Sequence, residues 1–203
     1  AIDTIKAHYQ RMTDNEPAFC IMSRTEAEIC KLATNCFLTT KISYANMIGD
    51  LCIKANANPN VVLKSIGADH RISSRYLGHG FGYGGPCFPR DNRALAKYSH
   101  SKGVNPLLGE ASDKINELHL EHQVEYYIQE NPDKKVPVRF DYVTYKREST
   151  LITESQQLKF AARLAEEGYI VTIEERPEVI REVGNIYGDL FTYENKKKMG
   201  DQL

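Results

Sequence analysis

The residues with the clearest capacity for chemistry lie in one segment, Gly78–Asp91, which reads Gly-His-Gly-Phe-Gly-Tyr-Gly-Gly-Pro-Cys-Phe-Pro-Arg-Asp. Residues 78–86 hold five of the thirteen glycines and a proline, so we expect an irregular loop whose backbone approaches a ligand closely. The loop delivers Cys87 to the start of a predicted helix, where free amides and Arg90 favour the thiolate. Asp91 is placed to cap that helix and to lie beside the sulfur. Cys87 is therefore a candidate nucleophile, with a structural thiol as the alternative.

Three further polar residues are candidates for binding negative charge. Lys31 and Asn35 are spaced i, i+4 on a predicted helix and share one face, where together they are suited to holding an oxyanion. The alternative is a solvated lysine beside a surface asparagine. Arg71, in Asp69-His-Arg-Ile, is either a phosphate clamp or an ordinary surface arginine.

The histidines and glycines match no metal or dinucleotide motif. His70 and His79 lack metal-ligand spacing, and His100, His119 and His122 have the pattern of a solvated helix face, so we predict no metal site. The glycine loop is not a dinucleotide fingerprint, because no predicted strand precedes it and no acidic residue follows at the required offset.

Composition narrows the class of protein. The 203 residues carry 26 Lys and Arg against 27 Asp and Glu, for a net charge of -1, which argues against nucleic acid as the main partner. We find no apolar run long enough for a membrane span and no signal-peptide pattern. Five cysteines without CxxC spacing favour a reducing cytoplasm. The chain opens with Ala1 in mid-pattern, which we interpret as a piece of a longer protein.

The pattern predicts a helical first part built around one long helix. This helix runs from a capping box at Thr25 and Glu28 to about Asn56, with two helices broken near Gly49 as the alternative. Its length suits a domain link or an oligomer interface. Asn58 before Pro59 has the form of a helix start. Shorter helices are predicted over 2–12, 58–67, 91–98 and 107–130.

The pattern changes after residues 131–135. Strands are predicted over 136–143 and 169–173, and helices over 154–167 and 177–183, while the polar end over 196–203 is expected to fray. Alternating strands and helices indicate a parallel α/β unit. We therefore predict a mainly α protein with an α/β part. Its domains are a helical domain over residues 1–130 and a partial α/β domain over residues 135–203.

Three motifs occur in order and together resemble the UDP-glucose and GDP-mannose 6-dehydrogenase family, with the UDP-glucose branch the nearer. They are Glu-Ile-Cys-Lys-Leu-Ala-Thr-Asn-Cys-Phe over residues 28–37, Asp-His-Arg-Ile over residues 69–72, and the stretch from Gly82 to Asp91. The resemblance covers residues 1–130. A weaker likeness, in Tyr145-Lys146 and Glu154-Ser155, extends into the family's nucleotide-sugar-binding domain.

The resemblance implies oxidation of a sugar C6 alcohol to a carboxylate with two NAD molecules in succession. Cys87 would trap the aldehyde as a thiohemiacetal, whose oxidation gives a thioester that water hydrolyses. Lys31 and Asn35 would stabilise the oxyanion, and Asp91 would orient or activate water.

The resemblance also implies which residues contact the substrate and which fold the chain adopts. Arg71 would reach the substrate across a homodimer formed through the long helix, and Tyr145 and Lys146 would contact the nucleotide. The helical part would resemble the C-terminal domain of 6-phosphogluconate dehydrogenase, and the α/β part would be Rossmann-like. The other expected substrate-binding residues are Tyr76 and, in the glycine loop that would cover the sugar, Gly82, Gly84 and Gly85.

Some features depart from the family. The NAD-binding Rossmann domain that precedes this region in the family is not in the sequence, so the chain alone is expected to show little turnover. Thr153 stands in place of an arginine, Leu151 in place of a polar residue, and Pro86 in place of a serine. The alternative functions are a dimeric, non-catalytic nucleotide-sugar-binding or structural scaffold and, within the enzyme class, a GDP-mannose 6-dehydrogenase.

Overall fold

A computed structural model describes residues 2–196 as a helix-rich chain with one small parallel sheet. The chain divides into two compact units, Ala1–Lys31 and Leu32–Leu203, and each is described by itself. The predicted fraying over 196–203 falls, apart from Lys196, outside the described residues. No helix in the described part is long and apolar enough to cross a membrane. The helices are α1 (Ile2–Met12), α2 (Arg24–Lys54), α3 (Pro59–Gly67), α4 (Phe88–Ser101), α5 (Leu107–Glu130), α6 (Gln156–Glu166) and α7 (Pro177–Tyr187), and the strands are β1 (Val138–Phe140), β2 (Val171–Glu175) and β3 (Thr192–Asn195).

Helix α2 is continuous over 31 residues, about 46 Å at the usual rise, so the alternative of a break near Gly49 is wrong. Its start also differs from the prediction, because the capping box is formed two residues earlier. Glu26 accepts a 2.6 Å hydrogen bond from the Ser23 amide, and the Ser23 hydroxyl accepts one of 3.3 Å from the Glu26 amide. These reciprocal bonds satisfy two amides that a helix start leaves unpaired.

The helical part of the second unit is held together by polar contacts between α2, α4 and α5. The Ser43 hydroxyl donates to the Ser112 carbonyl at 2.8 Å, and the Thr39 hydroxyl donates to Asn92 at 3.2 Å. These small side chains are buried and allow the helices to approach closely. The buried apolar cluster here is small and is formed by Ala45, Leu63 and Leu77.

The α/β part is a three-stranded parallel sheet in the order β1-β2-β3, which confirms the predicted parallel topology. The first strand is shorter than predicted, and β3 was not predicted at all. The sheet and helices α6 and α7 enclose a large apolar core, and Val124 of α5 belongs to it as well. Helix α5 ends at Glu130 and β1 begins at Val138. The division into domains over 1–130 and 135–203 stays a prediction.

Candidate functional site

The glycine loop ends at the first turn of α4, as the sequence predicted, with no helix or strand over residues 78–84. Cys87 is the N-cap residue of α4 and its thiol is exposed. The Asp91 amide donates a 2.8 Å hydrogen bond to the Cys87 carbonyl, which closes the first turn. The cap position therefore belongs to Cys87, and the expectation that Asp91 caps this helix is wrong.

Asp91 and Asn35, two of the predicted catalytic residues, meet directly. The Asn35 side-chain amide donates to the Asp91 carboxylate at 2.6 Å, although 56 positions separate the two residues. Asp91 is almost fully buried, and the exposed Arg90 guanidinium donates to its other oxygen at 3.2 Å. This pairing means that the Arg90 charge is shared with a carboxylate and is not directed at the thiol alone. The contact anchors the start of α4, which carries Cys87, to α2.

Lys31 precedes Asn35 by one turn of the same helix and is exposed. It is the last residue of the first compact unit, whereas Asn35 lies in the second. The shared role predicted for Lys31 and Asn35 therefore stays a prediction.

The glycines that were expected to cover a sugar lie against two other segments. A Cβ on Gly82 would collide with the Asn116 side chain, and a Cβ on Gly84 would collide with the Glu154 carbonyl. Only glycine leaves room for these contacts. They bring the loop against helix α5 on one side and against the predicted nucleotide-binding segment on the other.

Gly85 and Tyr145, two of the predicted substrate-binding residues, are in direct contact. Gly85 has a left-handed backbone, with φ of 81°, and the Tyr145 ring occupies the space where a Cβ would stand. The Gly85 amide also donates to the Thr153 carbonyl at 3.0 Å. The loop that leads to Cys87 is thus joined to the segment of residues 145–155.

Tyr83 is a member of the site that the sequence reasoning missed. Its hydroxyl donates to Asp113, and its backbone amide and carbonyl both bond to the Asn116 side chain, at 2.9 and 3.0 Å. Burial and the neighbouring Asp113 carboxylate raise the pKa of Tyr83, so the phenol stays protonated at neutral pH. Tyr83 therefore locks the middle of the loop onto α5. Its only sequence signal was its position between two glycines.

Tyr76 and Arg71 lie in the turn region that follows α3. Tyr76 adopts φ of 60°, is half exposed and packs edge-on against Phe88 at 6.4 Å, beside Cys87 in the sequence. Arg71 folds back onto Asp69, with a 2.6 Å ion pair, which raises the pKa of Arg71 and lowers that of Asp69. Its predicted reach across a dimer stays a prediction.

Lys146 is exposed, and its carbonyl oxygen accepts a 2.9 Å hydrogen bond from the Thr144 hydroxyl.

Residues 25–118 match the central domain of the UDP-glucose/GDP-mannose dehydrogenase family. The resemblance inferred from the motifs is confirmed. The matched stretch contains Lys31, Asn35, Cys87 and Asp91, the four residues for which a catalytic role was predicted.

Relatives and a solved structure extend the similarity. The UDP-glucose 6-dehydrogenase AglM of Haloferax volcanii is 42% identical over 93 residues, which are 46% of this chain and 22% of that protein. The putative UDP-glucose 6-dehydrogenase YtcA of Bacillus subtilis is 30% identical over 167 residues, 81% of this chain and 38% of that protein. A UDP-glucose dehydrogenase structure from Pyrobaculum islandicum superposes with a TM-score of 0.78 at 28% identity, covering 94% of this chain and 44% of that one. The chain thus spans less than half the length of each.

A cleft of about 410 Å³ lies beside Tyr83, between α4, α5 and α6. Glu154 lines it and accepts hydrogen bonds from Lys159 at 2.6 Å and from Arg93 at 3.2 Å. The bond from Lys159 lowers the pKa of Glu154 more than partial burial raises it, and Arg93 lowers it further. Of the predicted Glu154-Ser155 pair, only Glu154 therefore borders the cleft. Ser155 is buried, and its hydroxyl caps α6 by accepting from the Leu158 amide at 3.3 Å.

The described residues do not fit a dinucleotide cofactor. A strand followed by a glycine-rich turn is needed to bring backbone amides to a pyrophosphate. Within residues 2–196 the glycine-rich loop follows a turn, and residues 141–155, which follow β1, contain no glycine. We therefore assign no hydride-transfer step to these residues.

The histidine prediction requires one correction. His119 was expected on a solvated face, but it is fully buried, because its ring fills the space between Asp50 and the Gly80 carbonyl. The other two members of that group, His100 and His122, are exposed as expected. The buried ring and Asp50 form a cluster with His79.

Proposed function

We propose that this chain forms the substrate-side and dimerisation part of a nucleotide-sugar 6-dehydrogenase that oxidises UDP-glucose to UDP-glucuronate. The observation that carries the proposal is the exposed Cys87 thiol at the start of α4, with the Asn35–Asp91 hydrogen bond anchoring the same helical turn. The match of residues 25–118 to the family's central domain supports the same assignment. The five free cysteines suit a reducing compartment, and we include the cytoplasm in the proposal.

The thiol step uses groups of this chain. The Cys87 sulfur attacks the C6 aldehyde carbon, a C–S bond forms, and the carbonyl electron pair moves to oxygen, which takes up a proton to give a thiohemiacetal. The side-chain amide of Asn35 has two N–H groups, of which one is bonded to Asp91. We assign the other, together with Lys31, to the developing oxyanion.

The last step is hydrolysis of a thioester. The water oxygen bonds to C6, the C–S bond breaks, and the electron pair leaves with sulfur, while the water loses both of its protons to solvent as the carboxylate and the thiolate form. We assign the positioning or activation of that water to Asp91, whose buried carboxylate is fixed by Asn35 and Arg90. NAD would accept the hydride in both oxidations, and we assign its binding to a domain outside the described residues.

The nucleotide part of the substrate is assigned to Tyr145 and Lys146. Tyr145 packs on Gly85, so a nucleotide held there would be coupled to the loop that leads to Cys87. Lys146 is exposed and supplies a positive charge for a diphosphate. Arg71 would add a second positive charge from the other protomer, and Tyr76 would border the sugar with the glycines of the loop. The same proposal includes two domains. They are a helical dimerisation domain over residues 1–130 and a Rossmann-like α/β domain over residues 135–203.

A homodimer through α2 is supported by an apolar stripe on that helix. Phe37, Tyr44, Met47 and Leu51 are 42% to 64% exposed and are spaced by seven, three and four residues, which aligns them along one helix face. A second copy of the chain would cover this face. Exposed apolar residues aligned along one helix face are a common mark of a protein–protein interface.

Protection of Cys87 from alkylation tests the proposed function. In a variant that retains only Cys87 and Cys20, UDP-glucose is expected to slow the alkylation of Cys87 by iodoacetamide, while the exposed Cys20 continues to react unchanged. GDP-mannose serves as the competing ligand and UMP as the control that lacks a sugar. Protection by GDP-mannose alone would move the substrate assignment to that sugar. If no nucleotide sugar protects Cys87 at millimolar concentration, the substrate-binding proposal is wrong.

A further inference from the structure

Three side chains from different elements meet at a second polar centre. They are Asp50 of α2, His79 of the glycine loop and His119 of α5, and one potential ligand atom from each lies within 4.8 Å of the others. The Asp50 carboxylate is 3.1 Å from His79 Nε2 and 2.8 Å from His119 Nδ1. None of the three is needed for the thiol chemistry assigned to Cys87.

The hydrogen-bond partners of His119 determine which of its two ring nitrogens carries a hydrogen. His119 Nε2 lies 2.6 Å from the Gly80 carbonyl oxygen, which only accepts, so Nε2 carries the hydrogen. A neutral imidazole has one N–H, which leaves a lone pair on Nδ1 facing the two Asp50 oxygens at 2.8 and 3.0 Å. Two lone pairs at that distance repel each other. Either a second proton or a metal ion must therefore lie between them.

The donor set and its surroundings fit a metal ion. Two imidazole nitrogens and a carboxylate oxygen are common ligands of Zn²⁺, and the Gly80 carbonyl supplies the outer hydrogen bond that fixes the ligating tautomer of such a histidine. Ligands about 2.0–2.2 Å from a tetrahedral ion lie roughly 3.3 Å apart. From Asp50 Oδ1, the contacts to His79 Nε2 at 3.1 Å and to His119 Nδ1 at 3.0 Å need to open by only a few tenths of an ångström, and the two imidazole nitrogens lie within 4.8 Å of each other.

A space for a fourth ligand adjoins the cluster. A cavity of about 220 Å³ is lined by Asp50, His79 and Gln123, with Lys54 and His122 also on its wall. Gln123 Oε1 is buried and, among the described residues, lacks a hydrogen-bond partner. The Gln123 amide nitrogen is already engaged with the Gly80 carbonyl at 3.2 Å. The unpartnered oxygen is available to accept a hydrogen bond from a water bound to the ion.

We propose that Asp50, His79 and His119 bind one divalent transition-metal ion, with Zn²⁺ as the probe of choice. The ion would tie the start of the glycine loop to α2 and α5, eight residues before Cys87. Its role would be structural, because no ligand lies on the Cys87 turn. The proposal is independent of the sugar substrate and of the reaction assigned to this chain.

Calorimetric titration with Zn²⁺ tests the site in a background where Cys20, Cys30 and Cys87 are serine, which removes exposed thiols that bind zinc. We expect one equivalent to bind. Asp50→Asn and His119→Gln should each weaken binding on the order of 100-fold. The matched control His122→Gln, on the same cavity wall, should leave the affinity unchanged. Absence of stoichiometric binding, or equal affinity in all variants, would overturn the proposal.

A second measurement keeps all three proposed ligands and so does not depend on the folding of a ligand variant. In the same cysteine-substituted protein with its histidines intact, NMR of the imidazole ¹⁵N nuclei should show Zn²⁺ coordinating Nδ1 of His119 and Nε2 of His79. The exposed His100 and His122 rings should not change. If the ion instead perturbs only exposed rings, the assigned ligands are wrong.

Discussion

The helical region over residues 32–130 and the α/β region over residues 138–196 are stabilised in different ways. The α/β region has a continuous apolar core around its sheet, whereas the helical region buries a small apolar cluster and many polar side chains. In the helical region those polar groups bond across helices, as Ser43 does to Ser112, while large apolar residues such as Phe37 and Leu51 stay exposed on α2. The helical region thus has specific polar contacts inside and an apolar stripe on α2 outside, which the proposed dimer would cover.

The largest effect is expected from a charge on the α2 stripe. If two copies pair through this face, Leu51→Glu places two carboxylates in the interface and should weaken dimerisation on the order of a thousandfold. Sedimentation equilibrium measures the change. Ile170→Glu is the matched control, because Ile170 is an exposed apolar residue of the α/β region. A parent chain that is monomeric at micromolar concentration would contradict the dimer.

A core truncation in the α/β region should have the next largest effect. Leu164 is completely buried on α6, and Leu164→Ala is expected to lower the free energy of unfolding by about 2–5 kcal/mol, because it leaves a cavity among well-packed side chains. Urea denaturation gives the value. The control Leu108→Ala, at a residue 65% exposed, should change stability by less than about 0.5 kcal/mol. Equal losses in the two variants would disprove the described core.

The polar interior of the helical region should respond to loss of a single amide. Asn92 donates to the Gly109 carbonyl and to Asp113, both at 2.9 Å, and accepts from Thr39. Asn92→Ala leaves these buried groups without a hydrogen-bond partner. It should lower the free energy of unfolding, measured by urea denaturation, by about 1–3 kcal/mol, although little apolar surface is lost. Asn105→Ala, at an exposed residue, is the control and should leave the free energy of unfolding nearly unchanged. If Asn92→Ala leaves the free energy of unfolding unchanged, the polar network does not stabilise this region.

The smallest effect concerns Glu154, which joins the two regions through Arg93 and Lys159. Its pKa is lowered in the folded chain, mainly by the Lys159 hydrogen bond, so the folded state binds fewer protons than the unfolded state. Its stabilising contribution is therefore complete above the ordinary glutamate pKa and is lost as the pH falls through the lowered one. When the free energy of unfolding is measured against pH, Glu154→Gln should make its decrease at acid pH less steep. Glu178→Gln, at an exposed residue, is the control and should not have this effect.

Local signals predicted much of the fold. Helices α1 and α5 have the predicted bounds, because the apolar spacing and the flanking turn residues agree. Asn58 caps α3 as predicted, with its side chain accepting from the Asn60 amide. Strand β3 was missed because its residues, Thr192–Asn195, are polar and largely exposed and lack alternation. The first strand is shorter than predicted because Val136 remains exposed.

The candidate site was predictable where residues lie close in sequence and not where partners are distant. The glycine loop and Cys87 form one local motif, and Asn35 was found from its helix position. The burial of His119 depends on Asp50, which lies 69 positions away, so its helix pattern carried no sign of it. Contacts of this kind arise only when the chain packs.

The proposed chemistry depends on a fold that makes Cys87 a reactive thiol, and the alkylation rate of Cys87 relative to Cys20 measures this reactivity. Both thiols are exposed, so access does not separate them. With the other three cysteines substituted, iodoacetamide at neutral pH should modify Cys87 several times faster than Cys20, and the ratio should fall to about one in denaturing urea. A folded chain in which Cys87 reacts no faster than Cys20 would contradict the account and favour a non-catalytic scaffold.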